Sequence, residues 1–315
     1  MTKKRDFMTD IVFVILNYNL YDDVLACIDS LHKNLDTANV KMIVVDNASP
    51  NGVGKELLEY YQGSSDVEVI LNSDNMGFAR GNNVGIEKAL GYSPKYIACI
   101  NNDILLEQKN FFEILEKKYL ETGAAIIGPE SHKPNGKIQG FNTHLASIER
   151  YKSHYLNICD DKELTLFQFL KRKVTSLGVY KWLRNNTGET KKNNSGIQQS
   201  GKKQEAPKEE LNVMLHGCFL IFTPAFFDAG LKGFNPKTFL YREEQLLFLS
   251  AMVKGVKTLY TPDLKVIHIG NVSTNNVNSN DDKKKAEFRR KHEADSLKIL
   301  IEEMEAAGRY DLYGK

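Results

Sequence analysis

The strongest constraint on the fold is an alternation of strand and helix patterns through the first 130 residues. Short, wholly apolar runs indicate buried parallel strands, and apolar residues spaced three and four apart indicate helices. The pattern predicts strands at 11–16, 40–46, 67–71, 96–100 and 124–128, and helices at 21–34, 55–62, 81–90 and 111–119. Such alternation is typical of an α/β fold with an open, mostly parallel sheet flanked by helices.

The second half of the chain is less regular. Residues 185–210 contain almost no apolar side chains, which predicts a disordered loop within a variable insertion at about 150–210. Beyond it, apolar patterns predict a strand at 212–222, a helix at 239–253, strands at 256–260 and 264–269, and an amphipathic surface helix at 281–304. We therefore expect one domain at 8–275 and a helical extension at 281–315.

Composition and charge exclude several classes of protein. The net charge is only +2 over 315 residues, which argues against a general nucleic-acid binder. Four well-separated cysteines, none in a CxxC pair, are expected to be free thiols: Cys27, Cys99, Cys159 and Cys218. No signal peptide and no run of about 20 apolar residues is visible, so a cytoplasmic protein is expected.

Polar residues follow four consecutive predicted strands. Asn17 ends the first strand, Asp46 ends the second, residues 72–75 follow the third, and residues 101–103 follow the fourth. Ligands of open α/β sheets bind beyond the carboxyl ends of the strands. The sequence therefore predicts a polar binding site at this edge.

Two strand ends carry carboxylates that suit a nucleotide and a metal ion. Asp103 lies between apolar flanks, where a divalent cation such as Mg²⁺ or Mn²⁺ would stabilise its charge and bind diphosphate oxygens. Asp46 and Asn47 can accept hydrogen bonds from a base or a ribose. Each pattern has a purely structural alternative: an Asx turn at 101–103 and a helix N-cap near Asp46.

Three further patterns are compatible with catalysis or binding. Residues 72–85 are rich in glycine and asparagine and include Arg80, which suits a phosphate at a helix start but also a surface turn. Glu243 and Glu244 open an apolar helix, where one can act as a general base or both can simply favour the helix dipole. His268 can bind a metal ion or be an ordinary core residue.

Taken in order, the segments VILNYN, VVDNAS, NSDNMGFARGNNVGI, INND, HGCFLIF, FLYREE and VIHIG resemble the family 2 glycosyltransferases. The similarity covers about residues 11–128 and 211–275 and is greatest to rhamnosyl- and related transferases that build bacterial capsules and cell-surface polysaccharides. It implies the GT-A fold for the domain at 8–275 and inversion at the anomeric carbon.

The resemblance also implies roles for individual residues. Glu244 would be the base and Glu243 its orienting neighbour, although the further carboxylate usual in the family is missing after them. Asp103 and His268 would bind Mn²⁺ or Mg²⁺, while Gly217 and Cys218 would leave room for the donor sugar. The nucleotide and its phosphates would contact Asn17, Asp46, Asn47, Asn75, Gly77, Arg80, Asn83, Asn101 and Asn102.

The resemblance further implies a hexosyl- or rhamnosyl-type transferase that uses a UDP- or TDP-sugar. The acceptor would be a hydroxyl of a growing capsular or cell-surface polysaccharide or of a lipid-linked saccharide. Basic and apolar residues at 164–184 suit contact with the inner face of the cell membrane or, equally, a helix packed over the acceptor cleft. Alternatives are a non-catalytic nucleotide-sugar-binding partner in a polysaccharide assembly complex and, less well matched, a sugar nucleotidyltransferase.

Overall fold

A computed structural model describes residues 7–160, 208–270 and 282–308 of the chain. Residues 1–152 and 207–315 form one compact unit, and residues 153–206 form another. The segment 164–184 and most of the predicted loop at 185–210 lie outside the described residues. Within the described ranges, no helix has both the length and the apolar character needed to cross a bilayer.

The described strands form one sheet with the order β3-β2-β1-β4-β9-β6-β10-β5, and β7 and β8 pair with β6 and β10. Neighbouring strands from β3 to β4 are parallel, whereas β9 runs antiparallel to both β4 and β6. The strands are β1 (Thr9–Asn17), β2 (Val40–Asp46), β3 (Val67–Leu71), β4 (Pro94–Asn101), β5 (Ile104–Leu105), β6 (Ile126–His132), β7 (Ile138–Gln139), β8 (Glu210–Leu211), β9 (Phe219–Phe222) and β10 (Thr258–His268).

Strand direction brings distant parts of the chain to one edge. Because β9 is antiparallel to both of its neighbours, β6 runs in the same direction as β4, and β10 is parallel to β6. The carboxyl ends of β1, β2, β3, β4, β6 and β10 therefore lie at the same edge, together with the start of β9. We call this the carboxyl edge.

Helices cover both faces of the sheet. In the described residues they are α1 (Asp22–Asn34), α2 (Val53–Tyr60), α3 (Gly77–Leu90), α4 (Phe111–Thr122), α5 (Ile148–Asp160), α6 (Pro224–Asp228), α7 (Glu243–Lys254) and α8 (Asp282–Ala307). One buried cluster contains residues of α1, α2 and α4, and the other contains residues of α3, α6 and α7.

The alternation of side chains along β1 explains this two-sided burial. Ile11, Phe13 and Ile15 lie in the first cluster, and Val12 and Val14 lie in the second. A strand that is apolar on both faces must be covered on both faces, so the continuous apolar run forces helices onto each side. The predicted α/β class and the parallel strands of the first half are confirmed.

The second half departs from the sequence prediction in three places. Of the predicted strand at 212–222, only Phe219–Phe222 forms a strand, because the apolar residues before it fill the core from a loop. The predicted helix at 239–253 begins at Glu243, because Tyr241 and Arg242 adopt left-handed backbone angles. The two strands predicted at 256–260 and 264–269 are one strand, β10, with an irregularity after Thr261.

Gly85 lets α3 pack closely on the sheet. A Cβ at this position would lie 2.3 Å from Val14 Cγ1 and 3.0 Å from Val45 Cγ2. Glycine to alanine inside a helix normally gains about 1 kcal/mol of helix propensity. Here we expect Gly85→Ala to lower the free energy of unfolding by roughly 1–3 kcal/mol, since overpacking displaces the helix.

Urea denaturation of the parent and the variant measures this difference. Gly140→Ala is the matched control, because a Cβ at Gly140 meets no atom within 4 Å. Equal stability of the two variants would show that α3 tolerates a larger side chain against β1 and β2.

Candidate active site

A hydrogen-bonded network joins the ends of three adjacent strands at the carboxyl edge. Asp46, at the end of β2, is only 3% exposed, and its Oδ1 accepts hydrogen bonds from the Asn17 amide (3.2 Å) and the Ser49 hydroxyl. Its Oδ2 accepts the backbone N–H of Ser49 at 3.0 Å. Asn17 Oδ1 in turn accepts a hydrogen bond from the Asn102 amide at 2.7 Å. The carboxylate is thus buried but well supplied with donors.

Two features of the backbone after β2 keep the chain close to the Asp46 carboxylate. Ala48 has a left-handed φ of 59°, a conformation that non-glycine residues rarely adopt and that is commonly found at functional sites. A Cβ on Gly54 would lie 2.4 Å from Asp46 Oδ2. The absence of a side chain at Gly54 therefore allows α2 to start directly beside the carboxylate.

Asn47 holds the glycine- and asparagine-rich loop before α3. Its Nδ2 donates to Asn75 Oδ1 (2.9 Å) and to the Gly77 carbonyl (3.1 Å). Its Oδ1 accepts the backbone N–H of Met76 at 2.9 Å and the Asn72 amide at 3.1 Å. With four partners, the Asn47 amide fixes this loop against the end of β2.

Two of the predicted nucleotide-binding residues, Arg80 and Asn83, make hydrogen bonds to the backbone of the protein itself. Arg80 is exposed, and its Nε donates to the Met76 carbonyl at 3.2 Å. Asn83 donates to the Phe234 carbonyl (2.9 Å) and accepts the Phe234 N–H (2.9 Å), so its amide packs α3 against the loop before α7. Their roles in nucleotide binding stay predictions.

Asp103 and His268 form a pair across the β5–β10 ladder. His268 Nε2 lies 3.2 Å from Asp103 Oδ1, and Asp103 Oδ2 accepts the N–H of Gly270 at 3.0 Å. His268 Nδ1 lies 2.7 Å from Gln139 Oε1. Because an amide oxygen only accepts, Nδ1 carries the hydrogen, and in the neutral ring the Nε2 lone pair faces the carboxylate.

A second histidine lies beside this pair with the opposite tautomer. The ring of His216 is 6.0 Å from that of His268, and its Nδ1 accepts the N–H of Cys218 at 3.2 Å. The neutral ring therefore carries its hydrogen on Nε2, as a donor. Burial lowers the pKa of His216; the charge of Glu244 opposes this shift, and the electrostatic influence of His268 and Lys133 adds to it.

Glu244 is joined to the same edge through Gly217. One carboxylate oxygen of Glu244 accepts the backbone N–H of Gly217, and a Cβ on Gly217 would lie only 2.9 Å from that oxygen. The missing side chain thus makes room for Glu244, while the Cys218 thiol is buried against Ser131. Glu243 is 8% exposed, and its Oε1 has no hydrogen-bond partner.

Residues 12–183 match the family model described as glycosyl transferase family 2, which is more than half of the chain. The chain belongs to this family. The family resemblance expected from the sequence is confirmed, and the fold is GT-A. Among curated proteins, none matches the chain.

Several solved structures are similar to the chain. Crystal structures of S. aureus TarS 1-349 in complex with UDP and with UDP-GlcNAc are 14% and 12% identical, with a TM-score of 0.49 each. The alignments cover 82% and 84% of this chain but 60% and 61% of those chains. A crystal structure of S. aureus TarS, 14% identical with a TM-score of 0.48, aligns over 82% of this chain and 36% of its own length.

The family 2 chain gathers most of its predicted site residues at the carboxyl edge. Three residues that support them, Ser49, Gln139 and His216, are not among the site residues predicted from the sequence. Ser49 donates to Asp46, the Gln139 side chain bonds to the His268 ring, and the His216 ring lies beside that of His268. His216 could have been predicted from its position directly before Gly217 in the segment HGCFLIF, whereas Gln139 belongs to no recognisable motif.

The burial of Glu243 predicts a pH-dependent stability. Desolvation raises its pKa from 4.5 to about 7, with a smaller contribution from the charge of Glu244. The folded state therefore holds this proton more tightly than the unfolded chain, and stability is lost as pH rises from about 4.5 to 7. Glu243→Gln removes this loss, so the variant should exceed the parent by roughly 3 kcal/mol at most at pH 8.

Urea denaturation at several pH values between about 4 and 8 tests this expectation. The difference between parent and variant should vanish near pH 4, where the carboxyl group is protonated in both states. Glu303→Gln on α8 is the control, because that carboxylate makes an exposed ion pair with Lys237. A difference that stays constant across this range would contradict the assigned titration.

Proposed function

We propose that this chain is an inverting, metal-dependent glycosyltransferase of the hexosyl or rhamnosyl type. It moves a sugar from a UDP- or TDP-sugar to a hydroxyl of a growing capsular or cell-surface polysaccharide or of a lipid-linked saccharide. The observation that carries the proposal is the convergence of Asp46, Asp103, His268 and Glu244 at the carboxyl edge. The nature of the acceptor, with contact at the inner membrane face, rests on the sequence resemblance.

The network around Asp46 suits the nucleoside part of the donor. Asn17 and Ser49 hold the carboxylate in place, and a carboxylate has about four lone-pair sites, more than these partners use. The remaining capacity can accept hydrogen bonds from a base N–H or from ribose hydroxyls. Asn47 fixes the loop that leads to the amino-terminal end of α3, where the helix dipole favours a phosphate.

The pair of Asp103 and His268 fits a divalent cation. Two electron-rich atoms 3.2 Å apart are stabilised only by a positive charge between them, either a proton or a metal ion. Within the described ranges, no group of three or more histidine, cysteine or acidic side chains could complete a closed metal site. Mg²⁺ and Mn²⁺ sites in enzymes of this kind are open, with few protein ligands and the remaining positions taken by substrate phosphates and water. When bound, the ion would neutralise charge on the diphosphate leaving group.

Glu244 is the residue best situated to take the acceptor proton. The N–H of Gly217 holds one of its carboxylate oxygens, which leaves the other available to the acceptor hydroxyl. The acceptor oxygen attacks the anomeric carbon from the face opposite the diphosphate, and its proton passes to Glu244. The bond from the anomeric carbon to the diphosphate oxygen breaks, and its electron pair leaves with the nucleoside diphosphate.

Replacing the proposed base separates catalysis from binding. Glu244→Gln keeps the size of the side chain but cannot accept a proton, so transfer should fall by roughly 10²-fold or more. Affinity for the nucleoside diphosphate, measured by calorimetry, should stay within twofold. Loss of both properties, or of neither, would refute the assignment, and Glu303→Gln should change neither.

A thermal-shift panel identifies the donor base and tests the metal site. UDP, TDP and GDP are each added with and without Mn²⁺, because a ligand that binds only the folded state raises the melting temperature. We expect UDP or TDP to give the largest shift and Mn²⁺ to increase it. Asp103→Asn should lose the Mn²⁺-dependent part of that shift.

The matched control for this panel is Asp66→Asn. Asp66 pairs with His32 away from the carboxyl edge, so the shifts should be those of the parent. Equal shifts for Asp103→Asn and the parent would remove Asp103 from the metal site.

A further inference from the structure

The turn directly before Glu243 has a backbone that is unfavourable by itself. Tyr241 and Arg242 have φ angles of 73° and 67°, two consecutive non-glycine residues in the left-handed region. Such conformations persist only where surrounding contacts impose them. Because α7 begins immediately after Arg242, these two residues set the direction of the first helical turn of α7, which includes Glu244.

Several buried side-chain atoms in and beside this turn lack hydrogen-bond partners. Six buried side-chain atoms in the described residues have no hydrogen-bond partner, and three belong to Thr238, Arg242 and Glu243. Neither the backbone angles nor the side-chain hydrogen bonds of the segment therefore explain its conformation. The explanation has to come from the elements that pack against it.

Polar contacts from α8 hold the turn on one side. The Ser296 hydroxyl donates to the Leu240 carbonyl at 2.6 Å. Arg242 Nη2 donates to Glu293 Oε1 at 3.1 Å, and both side chains of this ion pair are largely shielded from solvent. A partly buried ion pair constrains its partners more than a fully exposed pair does.

Aromatic contacts from the same helix hold the residue before it. The ring of Phe239 stacks on His292, with centroids 4.5 Å apart and an interplanar angle of 27°. Phe288 contacts both rings edge-on, at 6.2 Å from Phe239 and 4.3 Å from His292. The spacing of Phe288, His292 and Ser296 by four residues places them on one face of α8.

The other side of the turn is fixed by the start of α3. The Phe239 carbonyl accepts the N–H of Phe78 at 2.8 Å. A Cβ on Gly77 would lie 2.2 Å from that carbonyl oxygen, and Gly77 has a φ of +76°, so glycine is required there. The segment 238–242 is therefore held between α8 and the loop proposed to contact the nucleotide.

We infer that α8 positions the catalytic base, with Glu293, Ser296, Phe288 and His292 acting on Glu244 through the turn at 238–242. The inference rests on the proposed function, in which Glu244 takes the acceptor proton. None of the four residues is a catalytic residue, because each acts through the turn. The network around Asp46 and Asn47 has hydrogen bonds of its own, so loosening α8 should impair turnover and spare nucleotide binding.

The first test compares two substitutions on α8. Glu293→Gln removes the ion pair with Arg242, and Glu303→Gln removes the exposed pair with Lys237 as a matched control. Turnover is measured as release of nucleoside diphosphate from the nucleotide sugar selected by the thermal-shift panel. We expect kcat to fall roughly tenfold for Glu293→Gln with nucleotide affinity within twofold, since small misplacements of a catalytic group are costly. The control should change neither.

Hydrogen exchange supplies a readout that needs no substrate. Amides of residues 239–244 should exchange faster in Glu293→Gln than in the parent, and at the parental rate in Glu303→Gln. Ser296→Ala, which removes only the hydrogen bond to Leu240, should give a smaller effect of the same kind. It also serves as the milder variant where Glu293→Gln folds poorly.

The outcomes separate this inference from the proposed function. Loss of turnover in Glu244→Gln with parental turnover and parental exchange in Glu293→Gln would overturn the role of α8 and leave the proposed base intact. Full turnover in Glu244→Gln would refute the base itself. A fall in nucleotide affinity as large as the fall in kcat would show that Glu293 supports the whole domain rather than the base. In a Glu244→Gln background, Glu293→Gln should cause no further loss of turnover.

Discussion

The hydrogen bonds that join Asn17, Asp46 and Asn102 across three strand ends are the interaction on which the rest of the site depends. A buried carboxylate costs free energy unless donors surround it, and here amide and hydroxyl groups supply them. Because these donors are neutral, the carboxyl edge keeps the negative charge of Asp46. The hydrogen bonds also fix the orientation of each side chain. Such a surface favours polar, hydroxyl-bearing and cation-bound ligands over bare anions.

The first half of the fold was predictable from the sequence because its signals are local. β2 and β3 have the predicted bounds, and β1 and β4 extend the predicted strands by only one or two residues at each end. An apolar run buried on both faces has few alternatives to a central parallel strand. The polar residues at the strand ends then follow from the direction of the sheet, so the positions of Asn17, Asp46 and Asn102 along the chain were enough to group them.

The second half could not be predicted in the same way, because its conformation depends on tertiary contacts. The apolar residues before Gly217 have the pattern of a strand, yet Val213 and Leu215 fill the core from a loop. The left-handed turn at Tyr241 and Arg242 contains no glycine to signal it, and the contacts that hold it come from α8, more than 40 residues later. Gln139 is likewise recognisable only once β7 has paired with β6 beside His268.

The position of β9 has a consequence for the order in which this molecule can assemble. β9 lies between β4 and β6, yet the ribosome makes it long after both, with the whole 150–210 region in between. The first four parallel strands can pair early, but the sheet closes only when residues beyond 218 have emerged. Since the entropy of closing a loop grows only slowly with its length, the region between β6 and β9 is free to lengthen or shorten during evolution at little cost to the fold.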